Sequence, residues 1–202
     1  MKYNIDEIEN RVREYIDIKR YAHTVSVAQT AACLAMKYGY ETYSADDKNK
    51  DLIDRARLAG ILHDNAKCMG NEKLIDICKN NNIEITASEA DCPYLLHGKV
   101  GAFFAEKKYG IDDKEILLAI KNHTTGRPDM CLLEKIIFVA DYIEPMRYKQ
   151  KNLDYVRHLA FCNIDECIFE ISKDTLEYLA GKNMCIDEMT VKTMNFYEVK
   201  NG

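Results

Sequence analysis

Apolar residues recur every three or four positions along most of the chain, and runs that alternate strictly between apolar and polar residues are scarce. This period is typical of amphipathic helices rather than strands. Helices are predicted over residues 5–18, 21–38, 51–66, 71–80, 98–109, 114–122, 132–143, 153–161 and 164–179. Gly39, Gly110 and Gly181 each follow an apolar periodic segment, where a glycine favours the end of a helix. The pattern therefore predicts an all-α protein.

The chain has 202 residues, with no internal repeat and no linker rich in glycine, serine or proline, which suits a single domain. Residues 41–50 are predicted to form a polar loop between two helices. From residue 182 the pattern becomes less regular, and MTVKTMNFYEV fits a short helix and a strand-like tail equally well. We expect residues 1–202 to form one domain, with 182–202 as a C-terminal extension packed on or near the core.

The charge pattern argues against nucleic-acid and membrane partners. With 28 Lys+Arg against 33 Asp+Glu, the formal net charge of −5 would repel a nucleic-acid backbone. The N-terminal segment MKYNIDEIENRVREYIDIKR is charged throughout, and no apolar run is long enough to span a bilayer. We therefore expect a cytoplasmic protein.

The eight cysteines form no Cys-x-x-Cys pair, and we interpret them as reduced hydrophobic residues rather than a zinc or disulfide framework.

Residues of metal-ligand type occupy positions on the apolar faces of several predicted helices. His63 continues the face formed by Ala56, Ala59 and Gly60, and Asp64 follows it directly. The same pattern holds on other predicted helices for His23, His97, His123 and Asp141. Such side chains normally lie on a solvated face, so their placement in the predicted core needs a physical reason.

Each of these residues has an ordinary structural interpretation when it is taken alone. A lone core histidine is more often a packing residue than a ligand, Asp141 could pair with Arg147, and Asp64 could accept from backbone amides. Burying the whole set without partners would cost several kcal/mol for each charged group, whereas one shared cation would satisfy them all. Imidazole and carboxylate ligands without thiolate suit iron, manganese, cobalt or zinc. The two oxygens of Asp64 leave two roles open: to bridge to a second ion or to hold a metal-bound water.

The order His23, His63-Asp64, Asp141 is the H…HD…D pattern of the HD superfamily of metal-dependent phosphohydrolases, which this sequence resembles. The neighbouring segments resemble the YqeK-type branch, the symmetrical diadenosine tetraphosphate hydrolases: KRYAHTVSVAQTAACLA, LAGILHDNAK, LLHGKVGAFFAEKKYGI and EILLAIKNHTTGRPDMCLLEKIIFVADYIEPMR. The likeness covers about residues 19–180 and implies an HD-type helical bundle with its core there. The chain departs from the pattern at residues 41–50, which are longer, and at Asn65, where an apolar residue is more common.

The resemblance implies a role for each matching residue. The metal ligands would be His23, His63, Asp64 and Asp141, and the metal would be of the iron type, with one or two ions bound. The substrate would be bound by Arg20, His23, Asp64, Lys67, His97, His123, Thr124, Asp141 and Arg147. Asp64, Lys67, His97 and His123 would carry the catalysis. Independently of the resemblance, Arg20 and Lys67 each lie about one helical turn from a ligand, so each can direct a cation at the same cavity.

His97 and His123 admit two roles: they could bind a second metal ion or, when protonated, bind phosphate oxygens or assist the leaving group. The implied reaction is attack of a metal-bound hydroxide on the polyphosphate bridge of diadenosine tetraphosphate, which gives two ADP. The expected partner is this dinucleotide or an ADP-like nucleotide. The alternatives are another HD phosphohydrolase, such as a nucleotidase or cyclic-nucleotide phosphodiesterase, and a nucleotide-binding module without turnover. Base preference and homodimer formation are left open.

Overall fold

Helices make up the regular structure of the chain. The computed structural model describes residues 2–42 and 46–201, and these residues contain no strand. In chain order the helices are α1 (Ile5–Arg13), α2 (Ile18–Thr42), α3 (Asp46–Leu62), α4 (Asn71–Asn80), α5 (Ala87–Asp91), the short 3-10 helix η1 (Pro93–Leu96), α6 (His97–Tyr109), α7 (Lys114–Asn122), α8 (Leu132–Ile143), α9 (Leu153–Ala160), α10 (Ile164–Gly181) and α11 (Glu188–Asn201). The predicted all-α fold is confirmed.

Local signals in the sequence begin and end several helices. The side chain of Asp113 accepts hydrogen bonds from the backbone N–H groups of Glu115 and Ile116, and so caps the N-terminus of α7. Gly110 ends α6 with a φ of +70°, a left-handed conformation that costs glycine little. The helix ends predicted at Gly110 and Gly181 are therefore correct.

Three helices that carry or directly precede residues of the predicted site, namely α2, α3 and α8, form the centre of the bundle. α2 packs along α3, and Gly60 permits their close approach, because a Cβ there would lie 2.6 Å from Ala28 Cα. α8 lies against α2, α7 and α10, and its side chains Ile136 and Ile137 are fully buried. Burying one such side chain contributes about 1.5–3 kcal/mol. This packing fixes the ends of α2, α3 and α8 relative to one another.

Three predicted helix boundaries are wrong. α1 ends at Arg13, well before residue 18. α2 continues through the buried Gly39 to Thr42, because its packing against α3 outweighs the weak helix propensity of glycine. α3 ends at Leu62 rather than at residue 66. His63 and Asp64 therefore lie in the turn that follows the helix.

Other elements differ from the predicted pattern as well. Residues 41 and 42 belong to α2 and residues 46–50 to α3, so the predicted polar loop is wrong at these positions. Residues 43–45 of that loop lie outside the described residues. The short helices α5 and η1 were not predicted, because both are shorter than two turns of an amphipathic pattern.

The C-terminal segment forms a helix, α11, that packs on α10. Its buried side chains are Thr190, Thr193 and Tyr197, and Tyr197 joins the main hydrophobic core. These positions have helical spacing, but two of them are hydroxyl residues that a hydrophobicity pattern does not register. This explains why the sequence alone left a helix and a strand-like tail open.

A disulfide joins Cys92 to Cys185, whose Cα atoms lie 6.3 Å apart. The interpretation of all the cysteines as reduced is therefore wrong for this pair. The two residues are 93 positions apart in the sequence. They meet because the segment before α11 returns to α5, where Asp187 accepts a hydrogen bond from the hydroxyl of Ser88 at 2.6 Å. Among the described residues, no helix has the length and apolar character needed to cross a membrane.

Candidate metal centre

The predicted metal ligands come from the ends of different helices. His23 lies near the start of α2, and His63 and Asp64 lie in the turn after α3. Asp141 lies in the last turn of α8. Two further histidines close the site: His97 is the first residue of α6, and His123 caps the C-terminus of α7. The bundle thus brings residues that are far apart in the sequence to one place.

Three of these imidazoles are held in the same way. The Nδ1–H groups of His63, His97 and His123 each donate to the backbone carbonyl three residues earlier, at 2.6, 2.6 and 2.8 Å respectively. A neutral imidazole that donates through Nδ1 has an unshared electron pair on Nε2. The backbone therefore sets the tautomer, and the Nε2 atoms face the interior of the site as potential metal ligands.

These Nε2 atoms surround the carboxylate of Asp64, whose side chain is buried. Its Oδ2 lies 3.6 Å from His63 Nε2 and 3.9 Å from His23 Nε2. Its Oδ1 lies 3.4 Å from His97 Nε2 and 3.3 Å from His123 Nε2. Unshared pairs that face a carboxylate repel it, so this arrangement calls for positive charge between them.

Several buried polar atoms of the site lack a hydrogen-bond partner, and they show whether the residues fit a metal ion. His23 Nε2, His63 Nε2 and Asp64 Oδ1 are buried and make no hydrogen bond. Two groups have ligand atoms that all lie within 4.8 Å of one another, namely His23, His63 and Asp141, and His63, Asp64 and His123. A buried polar atom without a partner is costly, and a cation shared by these donors removes that cost. The residues therefore fit a metal of the borderline type that binds nitrogen and oxygen.

We name the two sides of the site by their residues. The primary cluster is His23, His63, Asp64 and Asp141; the secondary cluster is Asp64, His97 and His123. Asp64 belongs to both, with Oδ2 toward the primary cluster and Oδ1 toward the secondary one.

Glu144 is a site residue that the sequence reasoning missed. Its buried carboxylate accepts from His23 Nδ1 at 3.2 Å through Oε1 and from the Met146 backbone N–H at 2.7 Å through Oε2. The Nε2 atom of the same imidazole lies 3.1 Å from Asp141 Oδ1. Glu144 follows Asp141 by three positions at the end of an apolar helix, and this spacing was the available signal.

Three cations occupy the partly exposed rim of the site. Arg20 donates to Asp64 Oδ2 at 2.7 Å, and Arg147 donates to Asp141 Oδ1 at 2.7 Å. The Lys67 ammonium lies 3.0 Å from His97 Nε2. The Thr124 hydroxyl adds a polar group, 3.2 Å from His97 Nε2 and 3.1 Å from His123 Nε2. The structure thus brings together every residue that was predicted for the site: Arg20, His23, His63, Asp64, Lys67, His97, His123, Thr124, Asp141 and Arg147.

Burial and neighbouring charges set the protonation of the site. Burial lowers the pKa of His63 to about 4 and that of His97 to about 3, with Lys67 adding to the effect at His97. Burial opposes ionisation of Asp64, but the groups around it, with the Lys67 ammonium among them, outweigh burial and hold its pKa well below the usual range. Burial likewise lowers the pKa of His23, but the neighbouring carboxylates of Asp141 and Glu144 outweigh it and leave the pKa raised. At neutral pH the buried ligands therefore include neutral imidazoles and an ionised carboxylate, the forms that bind metals.

Comparison with known proteins places this geometry in a family. The model of the HD domain matches residues 20–146, which include the primary cluster and all but the last of the rim residues. The chain belongs to the HD domain family. A divalent metal is implied by the HD domain, in agreement with the groups of histidine and aspartate described above.

Relatives of this HD domain protein match it along almost its whole length. It is 38% identical over 200 residues to a Staphylococcus aureus protein named "Bis(5'-nucleosyl)-tetraphosphatase, symmetrical", with 96% of this chain and 94% of the relative covered. It is 36% identical over 193 residues to a Bacillus subtilis protein of the same name, with 96% and 97% covered.

A solved structure supports the same assignment. The crystal structure of a "predicted HD superfamily hydrolase involved in NAD metabolism" from Clostridium acetobutylicum superposes on this HD domain protein with a TM-score of 0.88. The two sequences are 36% identical, and the match covers 98% of each chain. The helical arrangement described here is therefore that of an HD superfamily hydrolase.

Proposed function

We propose that this protein is a metal-dependent hydrolase that cleaves diadenosine tetraphosphate symmetrically into two ADP. The observation that carries the proposal is the position of Asp64, buried between two sets of imidazole Nε2 atoms and bordered by the cations Arg20 and Lys67. This arrangement combines a metal site with groups that bind phosphate. The relatives named symmetrical bis(5'-nucleosyl)-tetraphosphatases supply the substrate class.

The primary cluster would hold the metal, through His23, His63, Asp64 and Asp141. We propose iron, because two imidazoles and two carboxylates form the nitrogen and oxygen set that suits it, and because the resemblance implies it. Manganese, cobalt and zinc accept the same donors. When bound, a divalent cation acts as a Lewis acid toward a phosphoryl oxygen and lowers the pKa of water.

The rim cations would bind the polyphosphate. A guanidinium carries five N–H donors, so the bond from Arg20 to Asp64 leaves others for phosphate oxygens, and the same holds for Arg147 at Asp141. These bonds to ligand residues also orient both guanidinium groups before substrate arrives. Lys67 would add a third positive charge next to His97. Together they would stabilise negative charge that develops on the phosphate oxygens.

The secondary cluster would take a cation. Because the Nδ1–H groups of His97 and His123 are donated to backbone carbonyls, both Nε2 atoms accept rather than donate in the neutral form. The ammonium of Lys67 at His97 Nε2 supplies one cation, and a second metal ion would supply another, held by Asp64, His97 and His123. Metal analysis separates these arrangements: one ion per chain favours Lys67 as the resident cation, and two ions favour a bridged pair.

Symmetrical cleavage follows if one ADP half is held against the rim. The central bridge of the polyphosphate would then lie over the primary cluster, where Arg20 and Arg147 flank it. Thr124 would contact an oxygen next to the bridge from the secondary cluster. This placement requires one binding site for a nucleoside diphosphate and leaves the second ADP as the leaving group.

The test is a substrate comparison with the protein loaded anaerobically with iron(II). We expect turnover of diadenosine tetraphosphate, and little turnover of nucleoside monophosphates or cyclic nucleotides. Fast hydrolysis of a monophosphate or cyclic nucleotide, with the dinucleotide untouched, would instead establish another HD phosphohydrolase. Nucleotide that stays bound and intact after long incubation would establish a binding module. Asp64→Asn serves as the inactive control.

A further inference from the structure

The C-terminal helix α11 contacts the turn that carries His123 and Thr124. The turn comprises residues 122–127, between α7 and α8. Thr193 of α11 is fully buried, and its hydroxyl lies 3.0 Å from the carbonyl oxygen of Thr125 and 2.8 Å from the Met189 carbonyl of its own helix. The two carbonyls share the single hydroxyl proton as acceptors. One hydroxyl therefore connects α11 to the residue that follows Thr124.

Gly126 makes this contact possible. Its φ is +64°, and its N–H donates to the Asn122 carbonyl at 2.8 Å, which ends the helical turn after His123. A Cβ at this position would lie 2.7 Å from Thr193 Cγ2 and 3.3 Å from Phe138 Cε2. Only a residue without a side chain lets α11 approach the turn this closely.

A second contact holds α11 just beyond the turn. The Tyr197 hydroxyl accepts from the Met130 backbone N–H at 3.1 Å, and the Tyr197 ring is fully buried. Thr193 and Tyr197 are four positions apart and lie on one face of α11. The helix is therefore attached to the segment between α7 and α8 at two successive turns.

The position of the turn matters for the secondary cluster. His123 Nε2 lies 3.3 Å from Asp64 Oδ1 and 3.1 Å from His97 Nε2, and the Thr124 hydroxyl lies within 3.2 Å of both histidines. Contacts of this length tolerate only a small displacement, because a shift of about 1 Å in a positioned group can cost about a hundred-fold in rate. The primary cluster makes no direct contact with the turn through His23 or Asp141.

We propose that Thr193 is a positioning residue, which fixes the 122–127 turn and thereby places His123 and Thr124 in the secondary cluster. The kinetic readout rests on the proposed function, since it uses diadenosine tetraphosphate as the substrate. The spectroscopic readout is independent of it.

Thr193→Val tests the hydroxyl, since valine keeps the shape of threonine and removes the donor to Thr125. We expect kcat to fall by about ten-fold to a hundred-fold, with metal bound at the primary cluster as in the parent protein. Thr193→Ser keeps the donor and is expected to retain most of the rate. Equal kcat and KM in the parent and Thr193→Val would overturn the proposal, as would loss of thermal stability with the rate unchanged.

Histidine NMR of the isotopically labelled protein reports on the same variants without substrate. We expect the ring signals of His123 and His97 to shift in Thr193→Val while those of His23, which does not contact the turn, stay in place. If the His123 and His97 signals shift as expected but neither the parent protein nor any variant hydrolyses the dinucleotide, the proposed function fails and the positioning role stands. If the His123 and His97 signals do not move, the positioning role fails.

Gly126→Ala supplies a second, steric test. Its methyl group would collide with Thr193 Cγ2, so we expect a loss of rate larger than that of Thr193→Val. Adding Thr193→Ser removes Cγ2 and should restore part of the rate. If the double variant is no faster than Gly126→Ala alone, a direct collision between the two residues is not the cause of the lost rate.

Discussion

The Nδ1 atom of His23 donates to Oε1 of Glu144 at 3.2 Å, inside the protein and directly behind the primary cluster. This bond leaves the unshared pair of His23 on Nε2, which faces Asp141. The other three site histidines use backbone carbonyls for the same purpose. His23 lies on a continuous helix, where the carbonyl oxygens are engaged in the helix ladder, so a side chain must serve instead.

Glu144→Gln is expected to weaken metal binding. The amide can present either a donor or a weaker acceptor to His23, so the imidazole loses part of its fixed orientation and basicity. A change of this kind typically costs about 10-fold to 100-fold in metal affinity. Metal titration of the metal-free protein measures it, and excess metal should restore most of the activity. Glu106→Gln, at an exposed position on α6, is the matched control.

Asp141 and Glu144 show which site residues can be identified from the sequence alone and which cannot. Asp141 stood out because it occupied an apolar face, and the same criterion found His23, His63 and His123. Glu144 lies just after the helix, next to a proline, where an acidic residue usually caps or faces solvent. Its burial results from tertiary packing around α2, and the helical periodicity of the sequence does not predict such packing.

Asp64→Ala is expected to abolish hydrolysis and reduce bound metal while the helical fold is retained. Asp64 supplies oxygens to both clusters and hydrogen bonds to no core backbone group, so its removal affects the site more than the bundle. Elemental analysis and far-ultraviolet circular dichroism measure the two effects. Asp76→Ala, at an exposed position on α4, is the control. Full activity in Asp64→Ala would show that the site has been placed wrongly.

Arg20→Ala is expected to keep the metal and lose catalysis. Arg20 contacts Asp64 but contributes no ligand atom, so the donors of the primary cluster remain. Loss of one donor to the developing charge costs about 100-fold to 1000-fold in rate. Steady-state kinetics together with metal analysis measure the effect, with the neighbouring exposed Lys19→Ala as the control. Loss of metal in Arg20→Ala would contradict a role in substrate binding alone.

Glu134 is expected to make stability depend on pH. Its buried carboxylate accepts from Arg127 Nε at 2.7 Å and from the Cys131 backbone N–H at 2.9 Å. Burial raises the pKa of Glu134, but these bonds outweigh it and hold the pKa below the ordinary value of 4.5. A lowered folded-state pKa stabilises the protein above the pKa of the unfolded chain, and this contribution is lost as pH falls through the folded-state pKa.

Urea unfolding of the parent protein and Glu134→Gln measures this contribution. Near neutral pH we expect the variant to be less stable by about 1–3 kcal/mol, because bonds to a charged group are lost. The difference should shrink as pH falls from 4.5 through the lower folded-state pKa, because the unfolded chain takes up the proton first and the folded carboxylate only at lower pH. A difference in unfolding free energy that stays constant with pH would contradict the assigned role.

The C-terminal helix α11 is a second feature that the sequence pattern did not predict. The ends of α8 were predicted correctly, because its apolar residue types identify the buried face along its whole length. α11 buries Thr190 and Thr193, whose hydroxyls find partners only in the folded chain. The Cys92–Cys185 pair is likewise a product of tertiary structure. Local periodicity thus predicted the bundle and singled out the histidines and aspartates that lie together at the candidate site, and it missed the parts that depend on specific long-range polar contacts.

Product analysis in water enriched in heavy oxygen tests the central claim most directly. The iron-loaded protein is given diadenosine tetraphosphate, and the nucleotides are separated and analysed by mass spectrometry. Symmetrical hydrolysis predicts ADP as the sole product, with one heavy oxygen on the terminal phosphate of half of the ADP molecules. ATP and AMP in equal amounts, or no turnover by protein with a filled metal site, would contradict it.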